Sequence, residues 1–179
     1  MKASKKDLVE IAGIFAVVAS LIFVGMQLQL DRKVALAEQY SNRAESVKAD
    51  RRIILESDAL MQYREERWAL GWRPAYWDED WEIAGLVKEG ALSSRGVIAE
   101  IISKQLAIIG YDTIYYQYRQ GLLDEESWSG LRSSLKRGMA QNELTRAVYI
   151  QFARTTIQPV VEELLHEIES ERLATQSDE

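Results

Sequence analysis

Between residues 11 and 30 the chain reads IAGIFAVVASLIFVGMQLQL, an apolar run that no charge interrupts. About twenty residues at ~1.5 Å rise are enough to cross a hydrocarbon layer of about 30 Å. Positions 11–26 are apolar or small all the way round, whereas a core helix keeps a polar face. A cleaved signal peptide would close on a small-x-small site. This run instead enters Met26, Gln27, Leu28, Gln29, Leu30 and Asp31, and its small residues Ala16 and Ala19 lie mid-run. The pattern therefore predicts an uncleaved transmembrane helix over 11–30, preceded by a short basic flank, 1–10.

From Met26 to Leu70 there is neither glycine nor proline, and the Ala, Glu, Arg, Leu and Gln there favour helix. The span is expected to continue as helix, with a bend near Ser41 and Asn42. Tyr40, Val47, Ile54, Met61 and Trp68 recur every seven residues, flanked by Ile53 and Leu60 on one side and Ala37 and Ala44 on the other. Such a row faces a close helical partner. The companion positions Arg51 and Asp58 are charged, which favours packing within one domain over a two-row coiled-coil seam.

Gly71 and Pro74 end this helix, glycine by allowing the turn and proline by disfavouring helical geometry at Arg73. Trp68, Trp72, Trp77 and Trp81 form two i,i+4 pairs. They read as core around a helix–helix corner, with a partner-binding face as the alternative. After a turn at Ser93–Gly96, residues 97–120 are apolar over most of the helical circumference and stop at Gly121, which predicts a central bundle helix. A second span is disfavoured by Glu100, Lys104, Asp112 and Arg119, each costly in lipid. Gln105 and Asp112 fall within the apolar stripe and need hydrogen-bond partners if buried, for which Tyr111, Tyr115, Tyr116 and Tyr118 are candidates.

Asp124 is placed to cap a helix over 125–136 and Asn142 one over 143–157, while Pro159 starts a last helix. The polar residues 175–179 are expected to be disordered. No segment alternates with period two. The fold class is thus all-α: an N-terminal transmembrane helix continuing into a bundle of about five helices, with the soluble domain over 31–174.

Net charge of −6 gives no basic face for nucleic acid, and Arg51, Arg52, Arg64 and Arg67 alternate with acids. The chain has no cysteine, so disulfides, thiolate metal sites and a cysteine nucleophile are excluded. Lys2, Lys5 and Lys6 with the terminal amine precede the span, while Arg32, Lys33, Arg43 and Lys48 follow it, so positive charge does not set its orientation.

Glu163 and His166 form the Glu-x-x-His unit of carboxylate-bridged di-metal bundles, but a second unit is missing, because His166 is the only histidine. A di-metal enzyme is a weak alternative, and no cofactor or metal is assigned. GxGxxG, GxxxxGK[ST], HExxH and GxSxG motifs are all absent. Within the span, Ala12, Ala16 and Ser20 lie four apart and Gly13, Ala16 and Ala19 three apart, a small-residue face of the kind that associates in lipid.

The string EIAGIFAVVASLIFVGMQLQ (10–29), with GLLDEESW (121–128) and TRAVYIQFARTTIQPVVEELL (145–165), resembles a broad group of uncharacterised bacterial membrane proteins. In these a span of the type E-I-x-G-x-x-A-V-V-x-S-L-x-F-V-G-x-Q precedes a helical domain. The resemblance implies a bacterial inner-membrane location and, through Arg32 and Lys33, a cytoplasmic domain; Lys5 and Lys6 depart from the pattern. It implies no activity. The sequence as a whole points to a non-enzymatic interaction protein, a homo-oligomeric scaffold or an accessory subunit of a membrane complex. Its partners would be membrane lipid and itself or another membrane protein. The alternative is a tethered sensor that binds a small ligand near the tryptophans or the tyrosine-rich central helix.

Overall fold

Helix α1, Lys5–Glu56, carries the apolar run of the sequence. The computed structural model describes residues 5–177, and the side chains of 9–175. Residues 1–4 of the expected flank and 178–179 of the expected tail lie outside the described residues. The chain divides into two units, Met1–Gln39 and Tyr40–Glu179. In the first, an 18-residue window of mean hydropathy 2.3 has none of its side chains buried. It is the one helix among the described residues that is long and apolar enough to cross a membrane.

The second unit is all helix, with no strand among the described residues. Ser41 and Asn42, where a bend was expected, are both helical, and the helix breaks at Ser57. There the Ser57 Oγ accepts the Leu60 amide at 3.3 Å, and Asp58 provides an acid in the first turn of α2, Asp58–Ala69. Serine followed by an acid is a helix start, and it overrides the uniform propensity around it. Gly71 (φ +88°) then closes α2: its amide donates to the Trp68 carbonyl and the Trp72 amide to the Arg67 carbonyl, both at 3.0 Å. A short helix α3, Glu82–Lys88, follows.

Helix α4, Ser94–Arg119, is capped by Ser93 and packs against α2, α5 and α6. It buries Val97, Ile101, Ile102 and Ile108, which places it at the centre of the core, as its all-round apolar surface requires. Gly121 ends it with the same pair of bonds seen at Gly71. Helix α5, Glu125–Gln141, starts on Asp124, whose carboxylate accepts the Ser127 amide at 2.7 Å. It outruns the expected stop at Lys136. Leu135 and Met139, four apart and fully buried, hold Gly138 in helix against its cost of about 1 kcal/mol.

Helix α6, Glu143–Phe152, begins on Asn142, which accepts the Thr145 amide at 2.9 Å. It stops five residues short of the expected end. Residues 153–157 leave the helix because Arg154 is drawn to a buried carboxylate described below and Thr156 to the tyrosine hydroxyl that binds it, and Ile157 is fully buried. Helix α7, Gln158–Ser177, places Pro159 in its first turn. It continues through 175–177, where disorder was expected, and the Thr175 hydroxyl donates back to the Glu171 carbonyl at 2.9 Å. With α1 the described residues form seven helices.

Candidate functional site

Four helices and one loop of the second unit enclose a cleft of about 360 Å³. Arg51 comes from α1, Arg64 and Trp68 from α2, and Ile98, Ile101, Ile102 and Gln105 from α4. Gln151 and Phe152 come from the end of α6; Trp72, Pro74, Ala75 and Tyr76 come from the loop after Gly71. The loop is held by Arg73, whose guanidinium donates to the Trp68 carbonyl at 2.7 Å and to the Trp72 carbonyl at 2.9 Å. The same guanidinium carbon sits 4.1 Å above the Trp68 ring. Arg73 thus satisfies orphan carbonyls at the end of α2 while fixing the wall of the cleft.

Arg51 is half-buried. It donates to Gln105 Oε1, and its guanidinium carbon stands 5.1 Å from the Phe152 ring centre. Burial first, then the charge of Arg64, push its guanidinium below the ordinary arginine range. Among the described residues no carboxylate lines the cleft. Arg51 Nε and Trp68 Nε1 are buried without a hydrogen-bond partner. Phe152 also meets Tyr76 edge-on at 5.9 Å, closing the apolar end.

A second polar cluster lies around Asp112, which is fully buried on α4. Its Oδ2 accepts the Tyr40 hydroxyl, and Arg154 Nη1 stands 3.7 Å from the same oxygen. Tyr40 also shares a hydrogen bond with Thr156 at 3.0 Å and stacks on Tyr116 at 4.1 Å. The tyrosines of α4 were the expected partners of Gln105 and Asp112; the hydrogen bonds in the structure come instead from Arg51 and Tyr40, both on α1. Burial is the largest influence on Asp112 and pushes its carboxyl above the ordinary aspartate range, against Tyr40 and Arg154.

A pKa that is higher folded than unfolded means the native chain holds the proton more tightly. The stability Asp112 contributes is therefore complete below the unfolded value, near 3.8, and is lost as pH rises through the folded value. Asp112→Asn keeps an acceptor for Tyr40 and deletes the buried charge. It is expected to raise the thermal midpoint at pH 7 and to leave it close to that of the parent at pH 3, as read by circular dichroism. A variant less stable than the parent at pH 7 would contradict this account.

The tryptophans divide. Trp68 is 4% exposed and belongs to the core, so it cannot present a face to a partner. Trp77 meets Trp68 at 4.9 Å and Trp81 at 5.7 Å, and both are half-buried against the core; Trp72 alone is exposed, at 38%. The tryptophans thus pack as the expected core around a helix–helix corner, and of the alternative four-residue partner face only Trp72 is exposed. Ala12, Gly13, Ala16, Ala19 and Ser20 are all exposed on α1. Glu163 is engaged by Arg132 at 3.0 Å, beside exposed His166, and no group of three or more metal-ligating side chains converges among the described residues.

Sequence reasoning singled out Trp68 and Trp72 but missed the cleft. Arg51 and Arg64 read as members of a solvated, mixed-sign face; the signal available was that each lies three or four residues from two members of the seven-residue row, Arg51 from Val47 and Ile54 and Arg64 from Met61 and Trp68. No protein-family model, curated protein or solved structure matches this chain.

Proposed function

We propose that this chain is a membrane-anchored receptor, whose helical domain takes a small amphipathic ligand into the cleft between α1, α2, α4 and α6. The observation that carries the reading is the cleft itself. Its 360 Å³ falls within the range of small-molecule sites, about 300–1,000 Å³, and joins apolar walls to a few fixed polar groups. The exposed apolar window of α1 supports anchoring through one span. The resemblance of residues 10–29 to bacterial spans supports the inner membrane, and Arg32 and Lys33 support a cytoplasmic domain. We assign the chain no reaction.

The test is a thermal-shift screen of the purified full-length protein in detergent, run beside Ala75→Trp. Ala75 is an exposed residue at the cleft, so a bulky side chain there obstructs the opening without disturbing the core. At least one small molecule is expected to raise the parent's midpoint and to leave the variant's unchanged. Equal stabilisation of both proteins, or of neither across a chemically broad panel, rejects the receptor reading.

A second reading, self-association as a scaffold, is favoured by one observation. The small residues Ala12, Ala16 and Ser20 are exposed along one side of α1, and a Cβ added at Gly13 meets nothing within 4 Å. On this reading Ala16→Leu is expected to shift the protein to a smaller species in nanodiscs, as weighed by mass photometry. An unchanged mass would remove the span from the association.

A further inference from the structure

The polar groups of the cleft are mostly donors. Arg51 and Arg64 contribute two guanidinium forks and Trp68 an indole N–H, while no aspartate or glutamate is among the described residues of the walls. Of the groups that can accept, Gln105 Oε1 is already taken by Arg51, and Gln151 and the Tyr76 hydroxyl each donate as well as accept. Arg51 Nε and Trp68 Nε1 are buried with no acceptor at all, a state that native proteins rarely leave standing. Two cations share the space with no charge of opposite sign among the described residues that line it, and burial and Arg64 both press on the Arg51 charge. The remaining wall is apolar: Ile98, Ile101 and Ile102 are buried side chains of α4, and Phe152 lies under the Arg51 guanidinium.

What the cleft lacks is therefore an anion that brings its own acceptors and its own apolar surface. A carboxylate offers two oxygens to one guanidinium fork and carries a single charge, which suits a space otherwise closed by hydrocarbon. The volume, near the low end for ligand sites, fits a body of one ring or a short branched chain.

Resting on the receptor reading above, we infer that the cleft binds a small free carboxylate with an aromatic or branched apolar body. Its head lies at Arg51 and Arg64, and its body against Ile98, Ile101 and Trp68.

The experiment uses the full-length protein in nanodiscs of zwitterionic lipid, with calorimetry and tryptophan emission as readouts. The probes are 3-phenylpropionate and 4-methylpentanoate, their neutral amides, inorganic phosphate, and oleate added to the bilayer. The carboxylates are expected to bind about tenfold or more tightly than their amides. Arg51→Gln and Arg64→Gln are expected to erase that difference, so that acid and amide bind alike, and far-ultraviolet circular dichroism matching the parent's shows that the variants fold.

Amides that bind as tightly as the acids overturn the anionic head and leave the receptor standing. Phosphate as tight as the carboxylates overturns the apolar body. Oleate that outcompetes the free acids overturns the free source and points to a membrane lipid. If none of these probes changes heat or emission the carboxylate inference fails, and whether the receptor fails with it is read from the wider screen with Ala75→Trp.

Discussion

Trp128→Ala is expected to cost the helical unit about 3–5 kcal/mol, a large share of the ~5–15 kcal/mol that holds a domain folded. Trp128 is 5% exposed on α5, and its ring lies 4.8 Å from that of Tyr115 and 5.6 Å from that of Tyr118, both on α4. The Tyr118 hydroxyl in turn donates to Glu125, in the first turn of α5. One indole thus joins the end of the central helix to the start of the next across the Gly121 turn. Removing it leaves a void between two rings whose own positions it fixes, and such a site collapses poorly. Trp128→Phe, which keeps a ring in the same place, is expected to recover most of the loss. Urea denaturation in mild detergent, followed by far-ultraviolet circular dichroism, reads both variants. An alanine variant with the parent's midpoint would mean that α4 and α5 do not meet through this residue.

That joint was legible in part. Asp124 as a cap and Gly121 as a stop follow from residue type alone, because each satisfies backbone groups within four residues of itself. The same holds for Asn142, and the central place of α4 follows from its apolar circumference; Ser93 to Gly96 read as a turn, whereas Ser93 caps α4 and the other three residues form its first turn. The break at Ser57 was missed, although its chemistry is equally local. Flanked by strong helix formers, a serine also passes for an interior residue, and the one signal was the acid that follows it. The ends of α5 and α6 were missed for another reason. Gly138 stays helical because Met139 is buried, and residues 153–157 uncoil because Asp112 and Tyr40 lie elsewhere in the fold. Both outcomes are settled by tertiary partners that no local pattern encodes.

The same division separates what was visible of the site from what was not. Trp68 and Trp72 stood out by spacing, and two of the cleft's aromatic side chains are these. Arg51 and Arg64 did not stand out, since charge interleaved with Asp50, Glu56, Glu65 and Glu66 reads as solvated surface. What changes their meaning is the missing acid. Arg51 turns to a glutamine amide 54 positions away, and the described residues of the cleft behind it include no carboxylate. A sequence shows which charges are present; which of them lack a partner is a property of the fold.

Arginines at Val18 and Ile22, introduced together, are expected to move the full-length protein from the membrane pellet to the soluble fraction of lysed cells. The two positions lie one turn apart on α1, 47% and 59% exposed, near the middle of the apolar run. An arginine at the centre of a span costs roughly 2.5–3.5 kcal/mol on insertion scales, so the pair costs about 5–7 kcal/mol. At ~1.4 kcal/mol per factor of ten, that is a change of about four to five decades in partition. Val18→Leu with Ile22→Leu keeps the apolar surface and is expected to stay in the pellet. The double-arginine protein is also expected to keep its helical circular dichroism, because no side chain of the apolar window is buried and the second unit draws its core from its own residues. This separates an anchor from a core helix, whose interruption by two buried charges would unfold the domain instead of releasing it. A cleaved leader is separated by mass, since the parent in the pellet is expected at its full length. Should the double-arginine variant sediment with the membranes as completely as the parent, the run does not do the anchoring. The exposed hydrophobic side chains of α1 would then require a protein partner to cover them.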